Sequence, residues 1–116
     1  MHQKEAMVDL RTNRRESELS EQDVAILLHT DQPRISRLEQ GKAILNIREI
    51  CKLCLIFNQP ILELFRLFSY TVKAELTESL QGVSVTTEQG EQRQKTLHSL
   101  HQRLASNNPT HHETTD

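Results

Sequence analysis

Thr30-Asp-Gln-Pro-Arg-Ile-Ser-Arg-Leu-Glu-Gln-Gly41 carries the marks of both ends of a short helix. Asp31 suits the N-cap, where a side-chain oxygen accepts from backbone N–H groups that lack an intrahelical partner. Pro33 suits the first turn, whose N–H would be unpaired in any case, and Gly41 suits the left-handed residue that closes a helix. Ile35 and Leu38 lie three apart and point inward. At about 100° per residue, Gln32, Ser36 and Arg37 fall together on the opposite side. That outer face is polar and compact, and its side chains are of the kinds that pair with base edges.

Upstream, Leu19-Ser-Glu-Gln-Asp-Val-Ala-Ile-Leu-Leu28 predicts another short helix. Ser20 is its N-cap and Asp23, three residues on, completes a variant of the capping box; Val24, Leu27 and Leu28 supply the apolar face. Only His29 and Thr30 separate it from the stretch beginning at Asp31. Two short helices joined by a tight turn, the second with a polar outer face, make a helix-turn-helix arrangement.

With Leu10, Arg14, Leu19-Ser20, Val24-Ala25, Leu28, Gln32-Pro33, Ile35-Ser36, Glu39 and Gly41, followed by Ile50, Leu53, Phe57, Ile61 and Leu64, the chain resembles the lambda-repressor and Cro (XRE) family of helix-turn-helix regulators. The resemblance covers residues 8 to 65. It implies an all-α fold: a five-helix lambda-repressor-like domain over 5–66, a helical extension over 67–106 and a disordered tail over 107–116. It also implies a sequence-specific regulator of transcription, a repressor acting as a homodimer on a two-fold operator. Gln32 and Arg37 are then the base-reading residues, since glutamine pairs with adenine and arginine with guanine in the major groove. Ser36 reaches a base or phosphate, Arg34 and Lys42 meet the backbone, and Ser20, Gln22 and Pro33 line the same surface. In the family, the arginine at position 14 pairs with the glutamate at position 39 as a structural brace.

Two positions depart from the pattern. His29 stands where the family has glycine in the turn, and must accept a positive φ. Glu21 stands where a phosphate-touching glutamine opens the helix, and a carboxylate beside phosphate is unfavourable.

At 116 residues, with 35% apolar and 3% aromatic side chains, the chain suits one small domain with an extension, and so small a core favours oligomerisation. A net charge of −2 and a pI near 6.3 exclude a non-specific nucleic-acid binder, so any DNA contact must come from a local patch. The charge is sorted along the chain: Glu16, Glu18, Glu21 and Asp23 precede the turn, whereas Arg34, Arg37, Lys42 and Arg48 follow it. There is no positively charged start followed by an apolar run, and no stretch of the eighteen or so apolar residues that a membrane span needs, so a soluble, cytoplasmic protein is expected.

Helix one is predicted from Glu5 to Glu16, after four frayed residues, with Val8 and Leu10 on its apolar side. Asn46 caps a helix from Ile47 to Phe57, in which Ile47, Ile50, Leu53, Cys54 and Phe57 face the core. Leu55 and Ile56 carry its apolar run past what one face requires. Pro60 opens a long helix with Ile61, Leu64, Phe65, Phe68, Val72, Leu76 and Leu80 at three- or four-residue spacing, ended by Gly82. Leu55, Ile56, Phe68, Val72, Leu76 and Leu80 are the candidate dimer surface. Residues 83–87 alternate like a short strand or linker. Residues 91–106 predict a last helix with Leu97, Leu100 and Leu104 on one stripe, too narrow to fold without docking on the long helix or a partner.

Cys51 and Cys54 form a Cys-Lys-Leu-Cys unit inside a helix, without the strand pattern of a redox domain or a second pair for zinc, and read as small core or near-core residues. His98 with His101, and His111 with His112, lack a carboxylate cluster, so no metal is expected. Nor is an enzyme or a cofactor: there is no glycine-rich phosphate loop, no Ser-His-Asp candidate and no paired carboxylate in an apolar setting. Two rival functions remain open, the antitoxin of a toxin–antitoxin pair, whose extension clasps a protein partner, and a protein-interaction module that has lost DNA binding.

Overall fold

A computed structural model describes residues 4–83 and 90–106; the expectations for residues 1–3, 84–89 and 107–116, with His111 and His112, lie outside the described residues. The described chain is all-helical: α1 (Lys4–Glu16), α2 (Glu21–Leu28), α3 (Gln32–Gln40), α4 (Ile47–Phe57), α5 (Ile61–Leu64), α6 (Arg66–Leu80) and α7 (Glu91–Ser106). It divides into two compact units, Met1–Ser69 and Tyr70–Asp116, with the division inside α6.

Local side-chain chemistry sets the helix ends of the first unit. Ser20 Oγ accepts from Asp23 N and the Asp23 carboxylate accepts from Ser20 N, which closes a capping box at α2. Asp31 Oδ1 accepts from Arg34 N at the start of α3. Asn46 and Glu49 form a second reciprocal box at α4. Helices α2, α3 and α4 each end on a left-handed residue, His29 (φ 64), Gly41 (φ 81) and Asn58 (φ 54). At Gly41 the positive φ favours glycine, while the nearest atom to a Cβ there, Met7 Sδ at 2.5 Å, ends a flexible side chain that can shift.

The core of this unit joins Leu10, Val24, Ala25, Leu28, Ile35, Leu38, Leu53, Leu64 and Phe65, with Leu19, Ile50, Ile56, Phe57 and Phe68 packed at its margin. Three apolar positions expected inside lie outside: Val8, Leu27 and Ile47 are exposed, Ile47 by 73%. Ala25 takes the inward position beside Val24 and Leu28, which leaves Leu27 on the flank of α2. On α1 the buried neighbour of Leu10 is Asp9, a carboxylate with a specific task.

That task corrects the expected single helix after Pro60. Phe65 leaves helical geometry (φ −110, ψ 53) as its ring enters the core, so α5 stops at Leu64 and α6 starts at Arg66. The break frees backbone N–H groups, and Asp9 Oδ1 and Oδ2 accept from Leu67 N and Phe68 N at 3.3 and 3.0 Å. Asn13 Nδ2 donates to Asp9 O and to Leu64 O, which ties α1 to the end of α5. A helix-period pattern alone does not show such a break, because a buried aromatic at helical spacing reads as continuation.

In the second unit α6 ends at Leu80, and Gln81 and Gly82 follow in a turn. Leu80 is only 5% exposed, so it is enclosed within its own chain and is unavailable as the surface expected of it. Leu97, Leu100 and Leu104 are half-buried, and Leu104 borders a shallow depression lined by Tyr70, Lys73, Ala74 and Thr77 of α6. Among the described residues, no helix is long and apolar enough to cross a membrane.

Candidate nucleic-acid interface

Helix α3 packs through Ile35, Leu38 and Glu39, which are all buried, and α2 precedes it across His29, Thr30 and Asp31. The turn is held by Thr30 N donating to Ala25 O at 2.8 Å and His29 N to Ile26 O at 3.1 Å. Ile35, Leu38 and Glu39, three and four apart, share the buried face, which leaves Pro33, Ser36 and Arg37 on the outer side and Gln32 at its edge.

Of these, Arg37 and Pro33 are exposed, as are Lys42, Arg48, Ser20 and Gln22 around them. Among the described residues, no hydrogen bond or ion pair occupies the guanidinium of Arg37 or the ammonium of Lys42. Ser36 Oγ accepts from Gln40 Nε2 at 2.9 Å. Gln32 is half-buried, and its Nε2 donates to Glu21 Oε1 at 2.6 Å. Glu21, the residue whose charge sits badly beside phosphate, thus acts as the acceptor for the first side chain of α3.

Arg34 has a different surrounding from the phosphate contact expected of it. Its Nε and Nη2 form a two-pronged pair with Glu49, both at 2.8 Å, and Nη2 also donates to Ile44 O. The guanidinium is therefore the link between α3 and the N-terminus of α4. The capping box contains the sequence signal for this, since Asn46 followed by glutamate three residues on places a fixed carboxylate at that spot.

Behind α3 lies a second, drier pair. Arg14 Nε donates to Glu39 Oε2 at 2.6 Å and Nη2 to Glu39 Oε1 at 2.9 Å, with the Glu39 side chain 1% and the Arg14 side chain 12% exposed. Arg14 Nη1 donates to Leu19 O, Arg14 Nη2 stands 4.0 Å from Glu21 Oε2, and Arg11 approaches Glu39 from the solvent side at 3.5 Å. The result is a chain of polar contacts from Arg11 through Glu39, Arg14 and Glu21 to Gln32. Sequence reasoning did not include Arg11, although it sits one turn before Arg14 on the same helix face.

The carboxylates of these two pairs, Glu39 and Glu49, are held below the usual range. Burial pushes Glu39 up, but the hydrogen bonds and charge of Arg14 outweigh it; for Glu49 the Arg34 guanidinium is the leading cause, opposed by burial and aided by the Asn46 N–H. A carboxylate depressed in the folded state contributes stability that is fully present above its unfolded value of 4.5 and is lost as pH falls through the folded one. Urea midpoints should therefore hold steady from about pH 7 to about pH 5 and decline below it. Midpoints that stay level to about pH 3 would show that neither pair contributes net stability.

Cys51 and Cys54 are free thiols; Cys54 is partly buried and its thiol is pushed up by burial, whereas Cys51 is exposed rather than part of the core. It lies between Ile47 and Leu55, which is 82% exposed, at four-residue steps along α4. Ile56 and Phe68, also expected on the dimer surface, pack against the core, so of that set Leu55, Val72 and Leu76 remain exposed. His98 and His101 are exposed on α7, and no three His, Cys, Asp or Glu side chains gather as metal ligands among the described residues. No family model, curated protein or solved structure matches the chain.

Proposed function

We propose that the chain is a sequence-specific DNA-binding regulator of transcription of the lambda-repressor-like helix-turn-helix class, acting in the cytoplasm as a homodimer on a two-fold operator. The observation that supports this best is the outer face of α3: a helix capped at both ends and anchored by Ile35, Leu38 and Glu39 presents Gln32, Ser36 and Arg37 outward, with unpaired Arg37 and Lys42 at its edge. A rigid helix with short polar side chains and one free guanidinium fits the major groove, where arginine pairs with guanine O6 and N7. The near-neutral total charge of the chain fits selective rather than general binding.

Capture of genomic DNA fragments on the protein, sequencing of what is retained and gel shift on the enriched sequence test this reading. Recovery of random fragments in proportion to their abundance would overturn it. Arg37→Ala should weaken binding to the enriched sequence by about 1–3 kcal/mol and relax preference at one base pair per half-site. An equal loss on every sequence would make Arg37 a phosphate contact. Lys42→Ala should weaken binding to all sequences alike and reduce the slope of log affinity against log salt by about one. An unchanged slope would remove Lys42 from the interface.

A second reading, a protein-interaction module, is favoured by the engagement of Arg34 with Glu49 and by the exposed apolar residues Ile44, Ile47 and Leu55 along and before α4. The same capture experiment separates the two, because this module would retain no DNA.

A further inference from the structure

We infer that the solvent face of α4 docks a second protein through an acidic amphipathic helix, whose apolar side lies on Ile47, Cys51 and Leu55 and whose carboxylates meet Arg48 and Lys52. The inference takes up the second reading for α4 alone and holds whether or not α3 reads DNA. It starts from the directions in which α4 turns its side chains. Glu49 and Leu53 are its buried residues. At about 100° per residue the direction opposite them is that of Cys51, with Ile47 and Leu55 about 40° to either side. Ile47 is 73% and Leu55 82% exposed, Cys51 is exposed, and Ile44, just before the Asn46 cap, is 68% exposed. The side of a surface helix that ordinarily carries charge is here an apolar stripe about 12 Å long from Ile47 to Leu55, at about 1.5 Å of rise per residue.

Charge indicates what covers this stripe. Arg48 and Lys52 lie along one edge of it, and among the described residues no hydrogen bond or ion pair holds either. The opposite edge, Ile50 and Cys54, is uncharged. Glu49 is the acidic residue of α4, and its oxygens accept from Arg34 and from Asn46 N, so its charge is already matched away from the stripe. A partner helix of about three turns, with an apolar stripe and carboxylates along its edge, complements the surface in both respects.

Other occupants match it less well. A second copy laid antiparallel across a two-fold axis would set Arg48 and Lys52 beside their own counterparts, and like charges side by side repel. An extended segment that adds to a sheet finds no strand edge among the described residues. A helix lying in a membrane surface carries cations on both sides of its apolar face, whereas α4 has them on one.

The test uses the full chain with three probes. The first is a capped peptide of about three heptads with leucine at the a and d positions and glutamate flanking them. The second has lysine in place of glutamate, and the third is vesicles of phosphatidylserine and phosphatidylcholine. Fluorescence anisotropy and vesicle sedimentation measure binding, and the alkylation rate of Cys51, read by mass spectrometry, locates it. The glutamate peptide should bind with an affinity that falls as salt rises, and should slow Cys51 alkylation by about fivefold or more. Arg48→Glu combined with Lys52→Glu should weaken that peptide by about tenfold or more and gain binding to the lysine peptide. Leu55→Asp should abolish peptide binding while keeping the wild-type melting curve and the wild-type capture of DNA, with Ile47→Ser as the second variant if Leu55→Asp melts early. Binding of neither peptide, equal binding of both, or binding of the vesicles in their place would overturn the inference and leave the DNA-binding reading standing. A wild-type dimer that becomes a monomer on Leu55→Asp would also overturn it and assign the face to a second copy.

Discussion

Arg14→Ala should destabilise the fold by about 3–5 kcal/mol, a large share of the ~5–15 kcal/mol that holds a small domain together. Much of the loss is the carboxylate left behind. Glu39 is 1% exposed, and without Arg14 its remaining side-chain partner is Arg11, whose guanidinium is 3.5 Å away and 41% exposed, so solvent screens that attraction. Glu39→Ala should cost less, toward about 3 kcal/mol, because the stranded guanidinium keeps Leu19 O and lies within 4.0 Å of Glu21. Urea unfolding at constant m reads both values, and replacing both residues by leucine should recover part of the loss. An Arg14→Ala midpoint equal to wild type would show that burial of the pair cancels its attraction. The ordering of the two single variants is the sharper test, since it follows from which partner has the better substitute.

On the proposed homodimer reading, Val72→Asp combined with Leu76→Asp should leave a folded monomer whose affinity for the proposed operator falls by about 100-fold or more, and a wild-type chain that is itself monomeric would overturn that reading. A protein covering one half-site makes few base contacts, whereas two linked copies about 34 Å apart on the duplex bind the second site at high effective concentration. Val72 and Leu76 are one helical turn apart on α6, about 40% exposed and outside the buried core, so aspartate at these positions is better tolerated than at Phe68 or Leu80. Phe68 and Leu80 are unsuitable for such a test because their burial would confuse unfolding with dissociation. Light scattering gives the mass directly. A double variant that remains dimeric would transfer the contact to α4, where Leu55→Asp becomes the next substitution to make.

The helix ends could be read from the sequence because a cap is a bond between a side chain and a backbone at most a few residues away. Ser20, Asp31, Gly41 and Asn46 carry that information in their own chemistry, and His29 does take the positive φ that its place in the turn requires. What could not be read depends on packing across the chain. Asp9 caps a helix that starts nearly sixty positions later, and nothing in its neighbours announces this. Ile47 has the spacing of a core residue but lies on the solvent side of α4, since periodicity fixes which residues share a face and says less about how wide the covered part is. The polar face of α3 was legible as a set of residue types. Its division was not, because Arg34 and Gln32 are engaged by carboxylates supplied by α4 and α2, while Arg37 is left free. Residue type identifies a candidate contact, and the neighbouring helices decide whether its polar atoms are available.

The capping of α6 by Asp9 has a consequence for how the molecule is made. The partners in this contact are 58 and 59 positions apart, and Asp9 lies in α1, which is synthesised well before α6. Until the N–H groups of Leu67 and Phe68 emerge, the Asp9 carboxylate lacks these two donors, and burying it without them costs more desolvation free energy. Synthesis proceeds at about 5–20 residues per second, so the nascent chain passes several seconds with α1 made and these two donors still missing. Completion of the first unit is thereby timed by the arrival of its last turn, and a truncated chain that stops at Leu64 lacks the backbone that would let Asp9 settle.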